Sequence, residues 1–386
     1  MKKYNIIVKG GYGLTNFGDD ALLKSIHNDY LTRYSTKELA YSSKQSEYIK
    51  KDINNFDSIP VKLDYNGLTK VLIYGGGTQF YSFYKKKNII QKITTNLHLI
   101  FEPKKLKEKI NSFLLRNRSK SLISEKPTHS TIALGIGVGP FLEEADPHIE
   151  QQTKILFQQM DFVAVRDVFS LQKCKEWGVK NYRLYADLCF KMDHDKFLIK
   201  ASKENVEKIG VIVRDWDKTI EGDSYRENLF KVSSDLKQKG HEVYFVIFAK
   251  DRDQNWLKLL KKKKEKLIMW NPESSTIDSF FEILSTFDLF ITARYHGAVF
   301  SALLGKPFIT IEIEQKLAMI NKIFFNGSYN WSYPFDSCDL VDKFNKINSN
   351  YSQFSSNVVQ TALAQKELAN QMKRDLNLVL DKILKT

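Results

Sequence analysis

The stretch Thr292-Ala293-Arg294-Tyr295-His296-Gly297-Ala298-Val299-Phe300-Ser301-Ala302-Leu303-Leu304-Gly305-Lys306-Pro307 decides the fold. Before it, the apolar run 287–291 reads as a short buried strand. Within it, small and apolar residues read as a helix that stops at Gly305, and a second apolar strand follows over 307–313. Arg294 and His296 then stand at the carboxyl end of a strand and at the start of a helix. Open α/β sheets bind ligands there, because free N–H groups and the helix dipole favour an anion. Arginine supplies a permanent fork-shaped charge and histidine a proton that moves near neutral pH. Alone, the pair also fits a structural ion pair and a helix cap; the rest of the chain decides.

Outward from this stretch the same format recurs. Residues 4–8 read as a strand leading into Gly10-Gly11-Tyr12-Gly13 and then Asn16-Phe17-Gly18-Asp19-Asp20-Ala21-Leu22-Leu23, a glycine-rich turn and a helix start. This turn matches neither G-x-G-x-x-G with its acidic partner nor a P-loop. A strand over 71–74 ends in Gly75-Gly76-Gly77-Thr78, and one over 131–139 runs through Gly135, Gly137 and Gly139. A strand over 162–165 ends in Arg166-Asp167, and one over 182–185 leads to Ala186-Asp187. After a polar linker, 191–208, strands over 210–213 (ending in Arg214-Asp215-Trp216), 243–248 and 267–270 begin a second unit. Strands alternating with helices imply parallel, doubly wound sheets.

The expected fold is α/β, with two Rossmann-like domains facing a cleft. Residues 1–195 form the first domain, with a lysine-rich insertion over 85–126, and 196–345 form a donor-binding second domain. The final segment, 346–386, has helical periodicity over 351–384 and is expected to pack back on the first domain.

Composition narrows the function. The 386 residues, 42% of them hydrophobic, suffice for two cores. A net charge of +14 attracts anionic metabolites, anionic membranes or nucleic acid. Much of the excess is lysine in solvated runs such as 261–264, without zinc-finger spacing or an aromatic RNA-binding signature, so no nucleic-acid partner is expected. Cys174, Cys189 and Cys338 are scattered, which suits a reducing compartment. The N-terminal apolar core is too short for a signal peptide and no apolar run reaches membrane-spanning length, so the chain is expected in the cytoplasm. In the insertion, Leu106, Ile110, Phe113 and Leu114 fall at helical spacing among lysines. Such a helix fits its own domain or, peripherally, the anionic inner face of a membrane.

Four motifs in order now resemble the polysaccharide pyruvyl transferases: residues 13–22 with Asn16, Gly18, Asp19 and Asp20; Gly75-Gly76-Gly77; 135–140 joined to Arg166-Asp167, Ser170 and Ala186-Asp187; and Arg294-Tyr295-His296-Gly297 with Gly305-Lys306-Pro307 and Lys316. The resemblance implies two Rossmann-like domains arranged as in GT-B glycosyltransferases. It also implies transfer of a pyruvyl group from phosphoenolpyruvate to a sugar of a surface polysaccharide or its precursor, sometimes lipid-linked, as a ketal. Two departures stand out: Tyr295 occupies a position where an aliphatic residue is usual, and the insertion is not a family hallmark.

That chemistry suits these residues. The donor's carboxylate and phosphate need cations, for which Arg294, Arg166, Arg214 and Lys316 stand at element ends. His296 is the candidate general acid, and Asp19, Asp20 and Asp187 are candidate bases. Gly13, Asn16, Asp20, Gly76, Gly77 and Gly137 are the further candidates for substrate contact. No metal and no cofactor beyond the donor is expected. Trp216, Tyr12 and Phe80 are candidates for stacking on a sugar; His27, His98 and His129 read as surface or core. The alternative is a nucleotide-sugar glycosyltransferase of the same architecture, with Glu312 and Glu314 as candidate ribose partners. A non-catalytic binding protein would be favoured by a His296 remote from the cleft.

Overall fold

The computed structural model describes residues 2–44, 47–62, 64–82, 128–142, 147–193, 204–216 and 224–385. The first sheet contains β1 (Tyr4–Lys9), β2 (Leu39–Ser42), β3 (Ser58–Ile59), β4 (Thr69–Ser82), β5 (Ser130–Phe141), β6 (Phe162–Val165) and β7 (Tyr182–Leu184). Its order is β3-β2-β1-β4-β5-β6-β7 and every pairing is parallel. The second contains β8 (Lys208–Ile212), β9 (Glu242–Ile247), β10 (Leu267–Met269), β11 (Leu289–Thr292), β12 (Phe308–Ile311) and β13 (Ser328–Trp331), in the order β10-β9-β8-β11-β12-β13 and again parallel. Both sheets therefore reverse strand order once, between β1 and β4 and between β8 and β11, and such switch points are where doubly wound sheets bind ligands.

The helices are α1 (Phe17–Ser25), α2 (Pro147–Gln158), α3 (Val168–Glu176), α4 (Tyr225–Gln238), α5 (Gln254–Lys262), α6 (Ile277–Ser285), α7 (Tyr295–Leu303), α8 (Gln315–Ile323), α9 (Ser337–Ser349) and α10 (Tyr351–Leu384). Strand β11, Leu-Phe-Ile-Thr, is buried along its whole length between β8 and β12, as a central parallel strand must be. Strands β4 and β5 run further than their apolar cores suggest, through the glycine clusters, where the Thr78–Ser82 part is bulged.

The two domains share a core. Phe17 of α1 inserts among Phe248, Trp270, Phe280, Phe281 and Phe300 of the second domain, with ring centroids 4.5 to 5.2 Å away. Its backbone N–H donates to the Phe248 carbonyl at 3.0 Å. The 34-residue α10 starts on the second domain, where Ser355 donates to the Gly305 carbonyl (2.7 Å). It then runs back over the first, through ion pairs of Asp375 with Arg183 (2.8 Å) and Asp381 with Arg33 (2.7 Å). Among the described residues, no helix is long and apolar enough to cross a membrane. The insertion over 85–126, with His98, lies outside the described residues, as does 194–203 of the linker.

Candidate active site

Between the domains lies a cleft of about 730 Å³. The ends of β1, β4, β5 and β6 form one wall, and the segments after β8, β9, β11 and β12 form the other. Of the helices that start at it, α1 at Asn16, α7 at Arg294 and α8 at Glu314 have N-caps that place no side chain on their own first N–H groups, whereas at α5 Asp215 accepts from the Asn255 (2.8 Å) and Trp256 (3.2 Å) N–H groups. Open N–H groups and three dipoles thus converge on the space between the domains. By contrast α3, which also begins at the rim, is capped by Asp167, whose carboxylate accepts from the Ser170 N–H at 2.7 Å.

On the cleft floor the domains meet in a polar joint. Arg166 is 2% exposed; it donates to Asp187 (2.8 Å) and to Thr78 (3.2 Å), and its guanidinium lies 3.9 Å from the Tyr295 ring centre. Burial works against this charge, but Tyr295, Asp187 and Asp167 outweigh it, and the arginine is held charged. Asp187 also accepts from the Cys189 N–H at 3.0 Å. His296 Nε2 lies 3.8 Å from Asp187, and the ring stacks on Phe300 with centroids 5.7 Å apart. Gly18 also lies against His296: a Cβ there would stand 2.5 Å from Nδ1. Burial pushes the His296 pKa down, Asp187 opposes this and Arg166 adds to it. Arg166 Nε and His296 Nε2 are buried with no hydrogen-bond partner among the described residues.

The second-domain wall carries its cations as pairs. Arg294 bonds to the buried Asp253 and donates through Nε to the Val213 carbonyl (3.3 Å), which leaves guanidinium N–H groups over for a ligand. Asp253 in turn accepts from the Asp215 N–H at 3.1 Å. Arg214 bonds to Glu314, and Lys316 Nζ lies 2.8 Å from the same carboxylate oxygen. Burial pushes the Glu314 carboxyl up, but Arg214 and Lys316 outweigh it and hold it below the usual range. Lys316 is pushed down to about 8, first by burial, with Glu314 opposing and Arg214 reinforcing. Arg252 stands exposed at the rim.

The structure brings His296, Asp19, Arg294, Arg166, Arg214, Lys316, Asn16, Gly76, Gly77 and Gly137 to the cleft wall. Gly76 (φ +60°) and Gly77 (φ +71°) adopt the left-handed backbone that favours glycine. Gly137 leaves room for Arg166, whose Nη2 a Cβ would approach to 3.0 Å. Three candidates stand elsewhere. Gly13 turns the chain behind the wall, with φ +73°. Asp187 lies beneath the floor, in contact with Arg166 and His296. Asp20 faces away, accepting from Tyr48 (2.8 Å) and across the domains from Trp270 (3.0 Å). Among the aromatic candidates, Trp216 lines the cleft with Arg214 over its ring at 4.3 Å, Tyr12 lines it but donates its hydroxyl to the Gly75 carbonyl (2.6 Å), and Phe80 packs against Tyr74 and Phe157 instead. Glu312 is engaged by Asn330.

Sequence reasoning missed Asp253, Thr78, Arg252 and the stacking role of Tyr295. Asp253 had a usable signal: it precedes a helix just after a strand, the same position in its unit that Arg294 occupies.

Asp187, Cys189 and His296 offer one potential metal-ligand atom each within 4.8 Å of one another. Arg166 already bonds to Asp187, and burial pushes the Cys189 thiol well up, with Asp187 adding to it, so this donor set disfavours a divalent cation.

The two doubly wound domains that meet at this cleft have the Rossmann-like architecture of the GT-B arrangement. The family model for polysaccharide pyruvyl transferase matches residues 16–315, and the chain belongs to that family. No curated protein matches it. Among solved structures it is similar to Anabaena Alr3699/HepE in complex with UDP-glucose (11% identity, 96% of this chain and 99% of that one, TM-score 0.57). It is also similar to a glycosyltransferase from Rickettsia africae ESF-5 (14% identity, 100% of both chains, TM-score 0.54). A third is S. aureus MnaA solved with UDP (10% identity, 98% of both chains, TM-score 0.53). At these identities the likeness is one of fold.

Proposed function

We propose that the chain transfers a pyruvyl group from phosphoenolpyruvate to a saccharide, forming a ketal and releasing phosphate. One observation carries the reading: Arg166 Nε and His296 Nε2 are buried with no hydrogen-bond partner among the described residues, on the floor of a cleft onto which three helix N-termini open that their own N-cap side chains leave uncapped. Unmatched buried polar atoms are costly, and oxygens of a small anion would satisfy them. In this reading Arg166 and Arg294 bind the donor, with Arg214, Lys316 and Arg252 on its second anionic group.

The reaction needs a proton at the donor's methylene carbon. Burial disfavours the His296 imidazolium in the free protein; an anion bound beside it favours that form and loads the ring as general acid. Protonation leaves a cationic centre at the adjacent carbon, and a sugar hydroxyl attacks it while Asp19 accepts that hydroxyl's proton. Phosphate then departs with the C–O bond electrons, stabilised by Arg214 and Lys316, and a second sugar hydroxyl closes the ring, giving up its proton to the His296 ring that the first step left neutral. Asp187 orients His296 from beneath.

A thermal-unfolding titration with phosphoenolpyruvate tests this. Ligand at 100 times its dissociation constant stabilises by about 2.7 kcal/mol. Wild type should show that rise and Arg166→Gln should not. Stabilisation by UDP but not by phosphoenolpyruvate would replace this reading with glycosyl transfer, although Glu314, the candidate ribose partner, is already bound to Arg214 and Lys316.

A further inference from the structure

Tyr295 and His296 are consecutive residues at the start of α7, and both meet groups of the first domain. His296 lies against Gly18 and stacks on Phe300, with Asp187 3.8 Å from Nε2. Tyr295, 4% exposed, presents its ring to the Arg166 guanidinium at 3.9 Å. Arg166 comes from the end of β6, and its other holds, Asp187, Thr78 and, at 4.0 Å, Asp167, are also first-domain residues. The Tyr295 ring is thus the second domain's grip on this arginine. Desolvated cation–π contacts of this kind lie at the strong end of their range. The same guanidinium neutralises Asp187, the carboxylate that faces His296.

We propose that Tyr295 is a positioning residue: its ring face is the shelf that keeps Arg166 on Asp187, and through that pair it sets the charge that His296 meets. An aliphatic side chain here would cover the guanidinium without attracting it. Arg166 would then be free to leave Asp187, and the uncovered carboxylate would favour the imidazolium. The groups facing His296 from every side are Asp187 and Cys189 beneath it, Arg166 at the end of β6, Asp19 of α1, Lys316 of α8 and Tyr295 beside it. Only the Arg166–Asp187 pair depends on the shelf. The proposal concerns the same site as the pyruvyl-transfer reading, but it does not require that substrate.

The test follows His296 in the ligand-free protein. Histidine-labelled protein is titrated by NMR, with the His296 resonances assigned through His296→Gln. Tyr295→Phe keeps the ring face and should titrate with wild type; Tyr295→Leu should titrate at higher pH. Tyr295→Met serves as a second flexible aliphatic should the leucine variant fail to fold, with native near-UV circular dichroism as the check. Titration of a folded aliphatic variant together with wild type would overturn the proposal. So would an equal upward shift in Tyr295→Phe, because the hydroxyl and not the face would then be responsible. A parallel titration with phosphoenolpyruvate separates the two readings: weaker binding by Tyr295→Leu but not by Tyr295→Phe supports both. If wild type binds no phosphoenolpyruvate, pyruvyl transfer falls and the histidine titration alone decides on Tyr295.

Discussion

Replacing Gly18 with alanine separates stability from function at the domain joint. Gly18 is the second residue of α1 and its backbone is ordinary helix, so alanine should favour the helix by about 1 kcal/mol. Against this, the new Cβ would stand 2.5 Å from His296 Nδ1 and 2.9 Å from its Cβ and Cγ. The imidazole has little room to shift, because it stacks on Phe300 and Phe300 itself packs against Phe17. Overpacking of this kind costs about 1–3 kcal/mol. The net loss is then about 0–2 kcal/mol, which at roughly 2–4 °C per kcal/mol lowers the melting temperature by no more than about 8 °C. The ring, however, must shift by a substantial fraction of an ångström, and misplacement of about 1 Å at a reacting group costs about 100-fold in rate. The expected signature is a modest change in thermal unfolding with a large loss of phosphoenolpyruvate binding and turnover. A Gly18→Ala protein that is more stable than wild type and binds phosphoenolpyruvate equally well would refute the close approach and the role given to His296.

Further outcomes follow from the same geometry. Burial lifts the Asp20 carboxyl to about 7, against the hydrogen bonds from Tyr48 and Trp270. An unfolded aspartate titrates near about 3.9, so the folded protein holds a proton that the unfolded chain has released, and stability should fall as pH rises from about 4 to about 7. Asp20→Asn should lose that slope in melting temperature against pH, and equal slopes would argue against a buried, titrating Asp20. Phe17→Ala empties the aromatic cage between the domains and should cost about 3–5 kcal/mol in urea unfolding; a loss under about 1 kcal/mol would mean the domains do not depend on it. Lys316, with its pKa near 8, is charged below that value, so phosphoenolpyruvate affinity measured by calorimetry should fall between pH 7 and 9 and the fall should flatten in Lys316→Arg; equal pH dependence in the two would remove Lys316 from the anion site.

Both sheets were legible because their central strands are continuous apolar runs bounded by glycine or charge. Residues 162–165 and 267–269 read directly as strands, and the Arg294–Gly305 stretch as a helix behind a strand. Strand β2 and the edge strands β3 and β13 were not, since Leu-Ala-Tyr-Ser, Ser-Ile and Ser-Tyr-Asn-Trp carry little apolar signal and owe their state to the neighbouring strands. At the site, residue type and position at element ends brought Arg166, Arg214, Arg294, His296 and Lys316 to one cleft. What pairs with what was not legible: Asp253 meets Arg294 across 41 residues and Trp270 meets Asp20 across 250. Asp20 shows the limit most clearly. In sequence it is one of two equivalent first-turn carboxylates, and helical rotation alone sends Asp19 to the cleft and Asp20 into the joint.

The most direct measurement of the central claim is product formation. The protein is incubated with phosphoenolpyruvate carrying ¹³C at its methylene carbon and with a mixture of surface polysaccharide and lipid-linked saccharide precursors. NMR follows the label while phosphate is assayed. Pyruvyl transfer predicts that the vinyl signal converts into a ketal methyl signal with one phosphate released per methyl formed, and that His296→Gln abolishes both. Unchanged phosphoenolpyruvate, with UDP-glucose consumed in a parallel incubation with the same saccharides, would contradict the account.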